Sequence, residues 1–287
     1  MSVSVIIPNY NRCNLLIRAL NSVFTQLKYV SDIIVIDDAS SDNSIAQLMR
    51  LQTSCKKLVI LKNNSRKGAQ YSRLRGILSS NSDYLVFLDS DDVLTKFSIK
   101  DRLKVADKDP MIGLVYGDQF SEGKIHKWKS LDGFSFNYLI KHLSLCDYSS
   151  MLIRRSCFQT TGYPSPEFPA WQDDDMVLTI GKYFKVSHCG KVVAESYKQV
   201  DSISNSSKNL YNGCMFMLNK YSKDIFINHG FTGIYFWLLR LLRIRLNLVY
   251  EYQINKNNTS LRFIKIINFI IFKIEKRINS YFEYVYA

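Results

Sequence analysis

Apolar positions in the first ninety residues come in short bursts separated by helical spacings. Val3-Ser4-Val5-Ile6-Ile7 is a β-branched run that predicts a buried strand, and Pro8-Asn9-Tyr10-Asn11 punctuates it as a turn. Leu15, Leu16, Ala19, Leu20, Val23 and Phe24 then recur at helical spacing. Ile33–Ile36 predicts a second buried strand, ending in Asp37-Asp38. Ser41-Asp42-Asn43-Ser44 supplies N-cap chemistry for a helix through Ile45, Leu48 and Met49. Leu58–Leu61 reads as a third strand, residues 66–79 as a basic helical segment and Tyr84–Leu88 as a fourth strand. That strand stops abruptly at Asp89-Ser90-Asp91-Asp92.

Short apolar strands alternating with helices predict an α/β fold with a mostly parallel, doubly wound sheet. Ligands of such sheets bind beyond the carboxyl ends of the strands. Three strand ends carry unusual chemistry: Pro8-Asn9-Tyr10-Asn11, Asp37-Asp38 and Asp89-Ser90-Asp91-Asp92. Parallel strands would bring all three to one rim. From about Met111 the pattern changes, with a further strand at Leu114-Val115-Tyr116-Gly117-Asp118 and an aromatic-rich, less regular region to about residue 208. Residues 225–287 predict amphipathic helices. Arg240, Arg243, Asn247 and Glu251 make one narrow polar stripe, and Arg262, Lys265 and Asn268 begin another. The expected organisation is therefore 1–110, 111–224 and 225–287.

The chain has 287 residues, 47% of them hydrophobic, enough to bury a sizeable core. Its formal net charge of +13 favours anionic partners. The segment from 225 onward adds nine Lys/Arg against three Asp/Glu, which fits a peripheral membrane protein or two ordinary packing helices. Six cysteines without CxxC spacing argue against a zinc site or a disulfide framework, and for a reducing cytosol. The N-terminus has no basic region followed by a long apolar one, so no signal peptide is expected. No run of about 18 uncharged apolar residues suggests a membrane span.

Each chemical signal has two readings. Asp89, Asp91 and Asp92 are hard oxygen ligands suited to Mg²⁺ or Mn²⁺ at a diphosphate, or a solvated loop whose Asp92 caps the next helix. Asp37-Asp38 could accept hydrogen bonds from a base or ribose, or cap a helix. Tyr10 could stack on a base or sit at the core edge. Arg66, Lys67, Arg73 and Arg75 could meet a diphosphate, with 66 and 73 on one helix face, or form a solvated face. Asp173, Asp174 and Asp175 precede an apolar helical pattern, where one acid suffices for the helix dipole. A second could serve as a base that takes a proton from a sugar hydroxyl. The four histidines show no motif spacing.

Together these segments resemble the inverting family-two glycosyltransferases of bacterial surface-polysaccharide type, which have the GT-A nucleotide-sugar fold. The match covers roughly residues 1–205. VSVIIPNYNR is similar to the family's opening strand and turn, IIVIDDASSDNS to its nucleotide-binding Asp pair, YLVFLDSDDVL to its DxD strand and WQDDDMVLTIGK to its acidic catalytic motif. The resemblance implies a UDP-sugar donor, with Pro8 and Tyr10 lining the uracil pocket and Asp38, beside Asp37, on the base or ribose. Arg73 would contact the donor, although the family's Ala-Arg-Asn is Ser72-Arg73-Leu74 here. Asp89 would touch ribose or sugar, Ser90 lies in the same donor-binding motif, Asp91 would bind Mn²⁺ or Mg²⁺, and Asp92 would support it or touch the sugar. Asp173 would be the general base, with Asp174 or Asp175 as alternatives one or two residues on. Tyr197-Lys198-Gln199-Val200 stands where the family often has Tyr-Arg-x-His, so Lys198 would replace the His.

The implied reaction moves a hexose or N-acetylhexosamine to a hydroxyl of a lipid-linked glycan in O-antigen, capsule or lipopolysaccharide synthesis, with a β-linked product. The implied location is the cytoplasmic face of the bacterial inner membrane. One alternative is a haloacid-dehalogenase-type phosphatase with Asp89 as nucleophile and Asp91 as acid, which leaves the first three strands unexplained. Another is a basic nucleic-acid- or membrane-binding protein. Two acidic clusters on one cleft argue against nucleic acid, and no GxGxxG follows a strand to suggest a dehydrogenase.

Overall fold

The computed structural model describes residues 1–142, 145–197, 206–254, 271 and 273. The chain divides into two compact units, Met1–Glu167 with Gln172–Gln199, and Phe168–Trp171 with Val200–Ala287.

The first unit opens with β1 (Val3–Asn9), α1 (Cys13–Phe24), β2 (Asp32–Asp37), α2 (Ser44–Ser54), β3 (Leu58–Lys62), α3 (Ala69–Ser79) and β4 (Tyr84–Phe87). Then come β5 (Val93–Leu94), α4 (Ser98–Ala106), β6 (Ile112–Ser121), β7 (Lys124–His126), β8 (Asp132–Gly133) and α5 (Phe136–His142). A 3₁₀ turn (Tyr148–Ser150), β9 (Leu152–Arg154), α6 (Cys157–Thr161), α7 (Gln172–Gly181) and β10 (Lys185–Ser196) complete it. One sheet runs β3-β2-β1-β4-β9-β6-β10-β5, with β7 on β6 and β8 on β10.

β1 pairs in parallel with β2 and β4, and β2 with β3, as the alternating pattern predicts. The sense reverses at β9, which lies antiparallel between β4 and β6. The sheet is therefore mixed rather than purely parallel. β1 and β4 are buried along their whole length, which is why they read as continuous apolar runs. Leu16, Ala19, Leu20 and Val23 bury the inner face of α1 at the expected spacing. α3 lies so close to the sheet that a Cβ on Gly76 would come within 2.5 Å of Ile6 and 2.9 Å of Ile36.

Three local expectations change. Pro8 and Asn9 pair with Ile36 and Asp37, so β1 continues through them and the turn begins at Tyr10. The basic helix begins only at Ala69. Gly68, at φ 92°, holds a backbone that resists helix, and Arg66 and Lys67 lie in the loop before it. The shared face of Arg66 and Arg73 is thereby lost. Asp92 caps no helix, because β5 follows it.

The second unit is built on α8 (Ser207–Ile254), which breaks its helical geometry at Gly230, φ 59° and ψ −151°. Trp171 Nε1 donates to the Leu210 carbonyl at 3.1 Å, and Phe168 packs on Phe216. The expected polar stripe does not simply face solvent. Arg240 and Arg243 are half-buried, and the Arg240 guanidinium lies over the rings of Trp171, Phe236 and Trp237. Outward instead point Phe231, Tyr235, Leu238 and Leu242, an apolar ridge at spacings of four, three and four beyond the break, with Ile227 exposed before it. Ser207–Asn247 is also long and apolar enough to cross a membrane by length and composition, with two or fewer charges in its most apolar window. Asp224 and Arg240 bound its longest uncharged stretch, which is too short to read as a span by itself. The Glu251 side chain, the stripe at Arg262, Lys265 and Asn268, and Lys198 lie outside the described residues.

Candidate active site

The carboxyl ends of β1, β2 and β4 do form one rim, and hydrogen bonds between their loops explain how. Asp37 is fully buried and closes its own turn, accepting from Ser40 N at 2.9 Å and Asn9 Nδ2 at 3.1 Å. Asp42 accepts from Cys13 N and Ser44 N, fastening the β2 loop to the start of α1. Asn11 and Ala39 hold left-handed backbone here, φ 49° and 63°. Such residues cost about 1–3 kcal/mol each and cluster at functional loops. Asp38 accepts from Asn63 Nδ2 (2.7 Å), Lys67 N (2.8 Å) and Gly68 N (2.7 Å). One acceptor position remains on its two oxygens for a base or ribose. Pro8 is buried in β1, and the Arg66 guanidinium covers the Tyr10 ring at 4.2 Å. Arg75 bonds the Lys62 carbonyl and Asn63 instead of facing the rim. Asn9 Oδ1 is buried without a hydrogen-bond partner.

At the end of β4 the carboxylates divide their work. Asp89 Oδ1 takes Arg73 Nη2 at 2.5 Å. Asp91 Oδ2 meets Arg12 Nη1 at 2.6 Å, and Arg18 donates to the Asp91 carbonyl. Ser90 is buried. Asp92 is buried and accepts from Ser149 Oγ at 2.5 Å, while Ser149 Oγ accepts from Asp89 N at 3.1 Å. Burial, then the negative charge of Asp89, pushes the Asp92 carboxyl up to about 8.

Arg73 carries the connection to α7. It is almost fully buried, lies 4.0 Å over the Tyr148 ring, and donates through Nη1 to Gln172 Oε1 at 3.0 Å. Tyr148 Oη sits 3.1 Å from both Gln70 Oε1 and the Gln172 carbonyl. Asp173 stands next in the first turn of α7, where its Oδ1 accepts from Asp174 N at 3.0 Å. Burial raises its pKa against the lowering pull of that N–H and of Arg73. A carboxylate with a raised pKa is a stronger base when ionised. Asp174 and Asp175 are buried and engaged in contacts of their own.

Sequence reasoning missed Arg12 and the Asp147-Tyr148-Ser149 segment. Burial, then the negative charges of Asp173 and Asp89, push the Asp147 carboxyl up to about 7. The only linear signal is a polar cluster ahead of the apolar Met151-Leu152-Ile153.

Among the described residues no three His, Cys, Asp or Glu side chains converge as a metal cage. Mg²⁺ and Mn²⁺ commonly take one or two carboxylates and complete their shell with water and phosphate. The oxygen-only rim at Asp91 fits such an ion, which would compete with Arg12 for the carboxylate.

Comparison with known proteins bears on the family and the fold. WfaP of Escherichia coli, a UDP-Glc:α-D-GlcNAc-diphosphoundecaprenol β-1,3-glucosyltransferase, is 24% identical over 224 residues, covering 72% of this chain and 86% of WfaP. Further curated relatives carry only the name glycosyltransferase, and the chain spans 19% and 36% of two of them, from Rickettsia conorii and Nostoc. Staphylococcus aureus TarS 1–349 in complex with UDP-GlcNAc superposes with a TM-score of 0.65 at 17% identity, over 86% of this chain and 73% of that one. The mannosyltransferase PcManGT of Pyrobaculum calidifontis, in complex with GDP-Man and Mn²⁺, gives 0.59 at 16% identity over 76% and 64%. These likenesses place the fold as GT-A. The family model described as "Glycosyl transferase family 2" matches residues 4–162, more than half of the chain, and the chain belongs to that family.

Proposed function

We propose that this glycosyltransferase moves a hexose or N-acetylhexosamine from a UDP-sugar to a hydroxyl of a lipid-linked glycan, with inversion to a β-linkage. One observation carries the reading. Arg73 joins Asp89, at the end of a donor-side strand, to Gln172, the neighbour of Asp173. Donor carboxylates and base thus share one site. Asp173 takes the acceptor hydroxyl proton, and the oxygen attacks the anomeric carbon from the opposite face. The bond from that carbon to the diphosphate breaks, and UDP leaves with the electron pair. Asp91 would hold Mn²⁺ or Mg²⁺, whose chemistry when bound is to neutralise diphosphate charge. Asp38, Asn9, Pro8 and Tyr10 would receive the nucleoside, with the unpartnered Asn9 Oδ1 an acceptor for a uracil imide N–H. Support for UDP and a lipid diphosphate acceptor comes from what WfaP is named for. Family membership sets aside the phosphatase alternative.

Differential scanning fluorimetry with Mn²⁺ tests the donor. UDP is expected to raise the melting temperature, and GDP and TDP are not. Stabilisation by GDP or TDP alone would overturn the nucleotide assignment.

The acceptor places the enzyme at a membrane, and the apolar ridge on α8 supports a peripheral site on the cytoplasmic face of the bacterial inner membrane. Phe231 is 82% exposed and Leu238 50%. Burying one such side chain gains about 1.5–3 kcal/mol, so Phe231→Ser with Leu238→Ser is expected to weaken sedimentation with anionic phospholipid vesicles by at least about tenfold. Unchanged sedimentation of the double variant would remove the ridge from membrane binding.

A further inference from the structure

On the proposed reading, nucleoside and diphosphate take the ends of β2, β1 and β4. The sheet continues past β4 through β9 to β6 and β10. β4 and β6 both run antiparallel to β9, and Leu152 of β9 pairs with Val86 on one side and Val115 on the other. Three residues further along, Asp89 and Asp118 therefore stand level, about 10 Å apart as two strand spacings require. An inverting displacement needs its acceptor on the side of the anomeric carbon opposite the diphosphate. With the diphosphate at β4 and the nucleoside beyond it, that side is β6 and β10.

A built cluster stands there. Asp118 Oδ1 accepts twice, from Trp128 N at 3.0 Å and from His188 Nε2 at 3.1 Å. Gly190 N donates to His188 Nδ1 at 3.1 Å, so Nε2 carries the ring proton. The His188 ring meets Tyr116 edge-on, centroids 4.9 Å apart, and Tyr116 Oη accepts from Leu131 N at 3.0 Å. These contacts tie the loop at 128–131 to the ends of β6 and β10. Two polar atoms are left over. Asp118 Oδ2 has no partner among the described residues, and the side chain keeps 14% of its exposure. Trp128 Nε1 is buried without a hydrogen-bond partner, although the residue as a whole is only half-buried. A buried N–H left unpaired is costly.

The cluster looks toward the helix that carries Asp173. A Cβ on Gly181 of α7 would lie 3.3 Å from Val186, so Val186 faces α7. His188, two residues on in β10, faces the same way, and its partner in the ladder is Tyr116. Asp173 heads that same helix.

We propose that Asp118 and Trp128 form an acceptor subsite that binds a sugar ring of the glycan. Asp118 Oδ2 accepts from a sugar hydroxyl. Trp128 Nε1, after a small turn of the half-buried ring, donates to a sugar oxygen. His188 holds the carboxylate in place through its other oxygen. The subsite deepens the proposed transfer and rests on it. An open carboxylate oxygen beside an indole suits a neutral, hydroxyl-rich ring, since few polar groups fix its orientation and the aromatic surface takes its apolar parts.

The test uses the full chain with UDP-glucose, Mn²⁺ and a synthetic GlcNAc-diphospholipid. Asp118→Asn keeps an oxygen for Trp128 N and His188 and turns only Oδ2 from acceptor to donor. It is expected to raise KM for the lipid about ten- to a hundredfold, the usual effect of losing a hydrogen bond to a charged group. UDP should still raise the melting temperature of D118N as it does that of the wild type. A carboxylate that only ties down the loop would lower the melting temperature and leave the lipid KM unmoved, and that result overturns the inference. Trp128→Phe keeps an aromatic ring, loses the N–H and should raise the same KM about three- to tenfold. Binding is also read without turnover. Lipid titrated into the wild type with UDP and Mn²⁺ should change the tryptophan emission, and W128F should lose that change. No change in the wild type, or the same change in W128F, overturns the subsite even if D118N fails to fold. The two readings fail separately: a wild type that UDP does not stabilise loses its donor, whereas UDP stabilisation with an unmoved lipid KM in both variants removes only the subsite.

Discussion

Asp173→Asn is expected to lower turnover by about 10²–10⁴-fold, the usual contribution of a positioned general base, while circular dichroism stays unchanged. Asn preserves the shape of the side chain and its acceptor oxygen for Asp174 N. What it removes is the ability to take a proton from an attacking hydroxyl. Asp174→Asn and Asp175→Asn are the matched controls. Both residues are buried and contacted within the protein, so their replacement should lower the melting temperature more than the rate. Wild-type turnover by D173N would move the base to one of its neighbours.

Arg73→Ala should damage both stability and catalysis. Its guanidinium makes charge-assisted hydrogen bonds to Asp89 and Gln172 and covers Tyr148. Removing one partner of a buried pair costs about 3–5 kcal/mol. Asp89 keeps 33% of its side-chain exposure and rehydrates in part, so about 2–4 kcal/mol is expected from urea unfolding. Turnover should fall too, because Gln172 and the first turn of α7 lose their tie to β4. Arg73→Lys should not restore either property, since one ammonium cannot span both acceptors as the planar fork does. An unchanged urea midpoint in R73A would show that the bridge carries no energy.

Much of the donor side was legible in the sequence because its strands are buried on both faces. Val3–Ile7, Ile33–Ile36 and Tyr84–Leu88 read as unbroken apolar runs, and each ends where chemistry begins. Arg66 was misplaced because helical charge spacing continues across Gly68, while the backbone does not. Asp147 could not be found this way. It reaches the rim only because β9 runs antiparallel to β4, which brings the start of β9 to the end of β4. Strand direction is a tertiary property that a local pattern does not encode. On α8, apolar residues surround the helix, so the pattern did not say which side faces out. The aromatic rings around Arg240 turn part of the polar stripe inward.

The protons held by burial also set the electrical balance of the cleft. Asp89, Asp91, Asp92, Asp147 and Asp173 suggest a strongly anionic hole that would repel a diphosphate. Yet Asp92 and Asp147 keep their protons up to about 8 and about 7, and Arg12, Arg18 and Arg73 lie against the rest. The negative charge that five aspartates would present to a diphosphate is thereby reduced, and the chain's net charge of +13 supplies a long-range attraction for an anionic nucleotide. Encounter with the donor should therefore slow as salt is added, while selection among nucleotides falls to contacts made after arrival.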